Sequence, residues 1–70
     1  MMTHADIKNR FTYHAPKGDQ PERYDKIRGM MRAVAEEMVD LIPESREKSL
    51  ALTKLEEAVF WANAAIARNE

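Results

Sequence analysis

Residues 41–46, Leu41-Ile42-Pro43-Glu44-Ser45-Arg46, decide the fold. Proline lacks an amide hydrogen and clashes with the preceding turn, so a helix arriving from the N-terminal side stops at Pro43. Ser45 offers a hydroxyl that caps a new helix, and Glu47 falls in the first turn, where the helix dipole favours a negative charge. So tight a link between two long helices turns the chain back on itself. Moving outward toward the N-terminus, Tyr24, Ile27, Met31, Val34, Met38 and Leu41 recur at three- and four-residue spacing. Met30, Val39 and Ile42 widen that seam. The pattern predicts a helix over 21–42, with Pro21 at its first position. Moving toward the C-terminus, Leu52, Leu55, Val59, Ala62 and Ile66 repeat the spacing and predict a helix over 45–68. Ala51, Ala58, Ala62 and Ala65 add a stripe of small residues that permits close helix approach. No strand alternation and no internal repeat appears. The expected fold is all-α, a helical hairpin.

Ahead of the hairpin, Thr3 and Asp6 have the spacing of a helix cap, which predicts a short opening helix of about two turns. Residues 15–20 then read as a turn. Pro16 restricts Ala15 to extended geometry, and Gly18 is free to take a positive φ. The chain is expected to form one domain over 1–70, divided into an N-terminal helix and loop (1–20) and two long helices (21–42 and 45–68).

Seventy residues without cysteine make a small domain with no disulfide or thiolate metal staple. A chain of this size removes only about 60% of its surface from water on folding. A hairpin alone leaves two apolar seams, the alanine stripe, Phe60 and Trp61 uncovered, which predicts a compact homo-oligomer with that area between subunits. No segment has the length or apolarity of a signal peptide or membrane span, so a soluble cytosolic protein without a membrane partner is expected. Residues 1–32 hold seven Lys/Arg against four Asp/Glu, a net +3, and residues 33–70 hold four against eight, a net −4. That basic excess is too small for a DNA or RNA polymer binder and suits a compact anionic ligand.

Residues 10–28 concentrate the chemistry. Phe11, Tyr13 and Tyr24 supply rings, and Arg10, Lys17, Arg23, Lys26 and Arg28 supply cations. Rings stack on bases, and ammonium or guanidinium groups hold phosphates. Two arrangements are open for Phe11 and Tyr13: one faces the scaffold and the other a ligand, or both pack on the hairpin as a plug. Arg23, Lys26 and Arg28 span too wide an arc to cluster on one helix. His4 and His14 lack carboxylates at metal-ligand spacing, no serine sits in a nucleophile motif, and two glycines make no phosphate loop. These absences predict no catalytic residue, no metal and no cofactor. Arg68-Asn69-Glu70 reads as a frayed end.

In sequence order, several motifs resemble one known family. They are Phe11-Thr12-Tyr13-His14-x-Pro16, Asp19-Gln20, Arg23-Tyr24…Ile27-Arg28, Ser45-Arg46-Glu47-x-Ser49-Leu50-Ala51-Leu52-Thr53 and the run from Leu55 to Arg68 that contains Trp61-Ala62-Asn63-Ala64-Ala65. Over roughly residues 9–70 the chain resembles the phage anti-CBASS cyclic-nucleotide sponges, the second type of anti-CBASS protein, whose hairpin domain is shared with one type of anti-Thoeris sponge. The resemblance implies a homohexamer acting in the host bacterial cytoplasm. It implies that cyclic dinucleotides, typified by 3′,3′-cyclic GMP-AMP, are held uncleaved between subunits. Cyclic trinucleotides occupy separate pockets in many members. On this chain it places the stacking ring at Tyr13, within Phe11–His14, and the phosphate-holding base at Arg28, with Lys26 as second choice. Arg10, Lys26, Arg28 and Met30 lie near the implied trinucleotide pocket. The alternatives are a sponge for cyclic ADP-ribose-type signals and a helical scaffold without a ligand.

Overall fold

The computed structural model describes residues 2–70 and holds three helices, α1 (His4–Arg10), α2 (Gln20–Leu41) and α3 (Arg46–Asn69), with no strand among the described residues. None of these helices is long and apolar enough to cross a membrane.

α1 and α3 each start on a side-chain cap, and α2 starts without one. Thr3 Oγ1 accepts the Asp6 amide at 3.1 Å while the Asp6 carboxylate accepts the Thr3 amide at 2.9 Å, a reciprocal capping box. The bond from the Thr3 amide is the main reason the Asp6 carboxyl lies below the ordinary aspartate range. Gly18 takes the left-handed conformation at φ 57°, and α2 begins two residues later at Gln20, with Pro21 in its first turn. At the other end Ile42 turns extended, its amide still donating to Met38 O at 3.1 Å, and Pro43 follows. Ser45 is also extended and its Oγ accepts the Lys48 amide at 3.0 Å. Lys48 was not singled out by any sequence pattern. It is nonetheless buried, with Nζ donating to Val39 O at 2.9 Å and to Glu44 Oε1 at 2.6 Å, so one side chain ties the end of α2 to the turn.

α2 and α3 run antiparallel as the hairpin expected from the Pro43 turn. The half-buried side of α3 carries Leu52, Leu55, Val59, Ala62 and Ile66, as the spacing predicts. The α2 seam differs in detail. Tyr24, Ile27, Met31, Ala35, Met38 and Ile42 are half-buried, whereas Val34 and Leu41 are 42% and 79% exposed. Residues 24–42 advance 18 positions in five turns, 3.6 per turn, while the expected seam ending at Leu41 advances 17 and drifts off a straight helix. The alanine stripe is also divided: Ala51 and Ala62 are half-buried, Ala58 and Ala65 exposed.

Among the described residues no apolar side chain is fully buried. The radius of gyration is 15.3 Å, against about 11 Å for a compact domain of this length. The accessible surface is 5782 Å², about 1,300 Å² more than a globular monomer of this mass exposes. The molecule is an open slab of 44 × 30 × 15 Å with one helix layer to bury its seams.

Candidate binding site

The segment between α1 and α2 is built by short-range contacts. α1 ends on Phe11, whose amide donates to Ile7 O at 3.1 Å. Thr12 Oγ1 donates back to Lys8 O, and the His14 ring bonds Asn9 O through Nε2 at 2.9 Å, which requires the proton on that nitrogen. Residues 12–14 are thereby fixed while their neighbouring rings stay open. Phe11 and Tyr13 are 84% and 83% exposed, so neither packs on the hairpin. Both sequence arrangements for this pair are corrected: there is no plug, and no alternation of one ring in and one out. The backbone leaves helix at Phe11, and the bonds of Thr12 and His14 hold it to α1 while the Phe11 and Tyr13 rings face solvent.

His14 half-buries its ring in a hollow of about 270 Å³ that Tyr24, Arg28, Asn63, Ala64 and Ala67 also line. The hollow thus holds a guanidinium, a phenol, an imidazole and an amide, and Tyr13 precedes its His14 in sequence without lining it. Arg28 Nη1 bonds Asp25 Oδ1 at 3.1 Å, an exposed i,i+3 pair worth at most about 1 kcal/mol and easily exchanged for a phosphate. Arg28 also edges a wider groove of about 480 Å³ between α2 and α3, whose floor is Met31, Ala35, Leu52, Leu55 and Val59. The hollows that Arg28 lines do not include Arg10, Lys26 or Met30, all of which are exposed.

The cations of α2 part company as their arc predicts. Arg23 turns to residue 70, Arg28 to the His14 hollow and Arg32 to Glu36 at 3.2 Å. Farther along α3, Phe60 and Trp61 are exposed, and Trp61 Nε1 donates to Glu57 at 3.3 Å. That bond, followed by one from Lys54, lowers the Glu57 carboxyl below the ordinary glutamate value.

Two contributors escaped the residue patterns. Asn63 places a buried Oδ1 without a partner at the His14–Arg28 hollow. Its signal was a lone amide within an alanine-rich helix face. Glu70, read as part of a frayed end, is instead fastened: its carboxylate accepts Arg23 Nη1 and Nη2 at 2.9 and 2.6 Å and Gln20 Nε2 at 3.2 Å. The Arg23 bonds hold the Glu70 carboxyl below its ordinary range and raise the Arg23 guanidinium further.

The fold and site define a helical hairpin with an open aromatic and basic segment at the end where α2 begins and α3 finishes. Residues 3–67 match the family model described as Acb2/Tad1, hairpin domain, and the chain belongs to that family. The match takes in the capping box of α1, all of α2 and α3 as far as residue 67, and it reaches residues 3–8, which lie outside the motif resemblance. No curated protein and no solved structure matches the chain.

Proposed function

We propose that this protein binds and sequesters cyclic dinucleotide second messengers, with 3′,3′-cyclic GMP-AMP as the type ligand, without cleaving them. Membership of the Acb2/Tad1 hairpin family supports a binding role toward cyclic nucleotide signals over a catalytic one. One observation carries the ligand class: Tyr13 stands in solvent on the pinned segment whose His14 enters the hollow that Arg28 also lines. A cyclic dinucleotide has two flat bases and two phosphates. Two subunits related by a two-fold axis present two Tyr13 rings and two Arg28 guanidinium groups to it. Stacking contributes about 1–3 kcal/mol per base, and Phe11 and His14 belong to the same segment.

The homo-oligomer, a hexamer by resemblance, creates this site, and the excess exposed surface of the single chain supports assembly. The whole chain, 1–70, acts as one sponge domain. In the host bacterial cytoplasm, where a phage protein is made, removal of the messenger silences CBASS immunity. Cyclic trinucleotides would take a separate pocket near Arg10, Lys26, Arg28 and Met30. Because the family joins two sponge types, the rival ligand is a cyclic ADP-ribose-type signal.

Calorimetry with a panel of cyclic dinucleotides, cyclic trinucleotides and cyclic ADP-ribose isomers tests the reading. Tight binding of 3′,3′-cyclic GMP-AMP, lost in Tyr13→Ala, is expected. Binding confined to cyclic ADP-ribose isomers transfers the protein to the rival class, and linear product after heat release makes it an enzyme.

A further inference from the structure

We propose that the last turn of α3 is a clasp that positions the Tyr13 segment for ligand, with Glu70 as the residue that closes it; the ligand-positioning role rests on the sponge function above. Both ends of the segment are tied to that one turn. On the upstream side, Asn9 Nδ2 donates to Arg68 O at 3.2 Å and Arg68 Nη2 donates to Arg10 O at 3.5 Å. On the downstream side, Lys17 Nζ donates to Glu70 O at 2.8 Å, and Gln20 and Arg23 hold the Glu70 carboxylate.

Gln20 passes the contact inward. Its side chain is buried, its Nε2 meets Glu70, and its Oε1 accepts the Lys17 amide at 3.1 Å, one residue ahead of the Gly18 turn. A chain of bonds therefore runs from the Glu70 carboxylate through Gln20 to the Lys17 amide, four residues downstream of Tyr13. Between the anchors, Thr12 and His14 bond only to α1. Freeing either anchor lets the segment sample more conformations, and a ligand must then supply the ordering free energy that the clasp otherwise supplies. Asp19 touches Arg23 at 3.4 Å but is more exposed than Glu70, so it competes weakly.

The test combines hydrogen exchange of the Lys17 amide with calorimetric titration of 3′,3′-cyclic GMP-AMP, on the wild type, Glu70→Gln and Glu70→Asp. The clasp predicts that Glu70→Gln speeds Lys17 exchange and weakens affinity, each about two- to fivefold, as expected for a partly exposed ion pair. Glu70→Asp, which keeps the charge, recovers most of both. Unchanged exchange in Glu70→Gln overturns the clasp, and faster exchange with unchanged affinity overturns its positioning role. A wild-type protein that binds no cyclic nucleotide overturns the sponge function and the positioning role with it. Accelerated Lys17 exchange in Glu70→Gln then still supports the clasp itself.

Discussion

Tyr13 is the residue on which the proposed function turns at the scale of single residues, because its ring is open to solvent and packs little on its own chain. Tyr13→Ala is expected to weaken binding of 3′,3′-cyclic GMP-AMP at least about thirtyfold, two stacked bases being at stake. Its helical content by circular dichroism should match the wild type. On the proposed reading Arg28→Ala removes a phosphate partner, and within the chain it costs only an exposed pair with Asp25, so it should show the same split. Acid acts on three carboxylates held low by hydrogen bonds, Asp6, Glu57 and Glu70. Each has a folded value below its unfolded one, so its stabilising contribution is complete above the unfolded value and fades as pH falls through the folded one. Thermal unfolding followed across pH should be flat near neutrality and shift to lower temperature below about pH 4. A melting temperature that rises on acidification contradicts these assignments.

Among the elements, the two glycines give opposite forecasts for the same substitution. Gly18 sits at positive φ with open space around it, so Gly18→Ala strains the backbone and should destabilise by about 1–2 kcal/mol. Gly29 lies inside α2, also with open space, and Gly29→Ala should stabilise by about 0.5–1 kcal/mol through helix propensity. Denaturant melts read both. A destabilising Gly29→Ala would instead reveal another subunit's backbone against that face. Much at this scale was legible in the sequence, because caps and breakers act over a few residues. Thr3, Gly18, Pro21, Pro43 and Ser45 each mark a boundary by local chemistry. The α2 seam was misread at Val34 and Leu41 because a three-four alternation and a true 3.6 period separate only after several turns. The Glu70 clasp was invisible for a different reason. Its partners Lys17, Gln20 and Arg23 are 47 or more residues away, and nothing local distinguishes a docked end from a frayed one.

For the molecule as a whole, the open slab leaves much apolar surface that its own chain does not cover. The apolar groove beside Arg28, the exposed Phe60 and Trp61, and the exposed rings of the N-terminal segment all belong to that surface. Association of copies would bury the seams and bring Tyr13 and Arg28 of different subunits together, so stability and function would share one interface. Trp61 is the sole tryptophan and reports on that interface. Its emission should be that of a buried indole in the assembly and shift to the red on dilution; a water-exposed spectrum at every concentration would place the interface elsewhere. The most direct test of the central claim is a calorimetric titration of 3′,3′-cyclic GMP-AMP into the purified protein. Saturable tight binding at about one ligand per two chains is the predicted result. The absence of any binding heat across temperatures, with the oligomer intact, would contradict it.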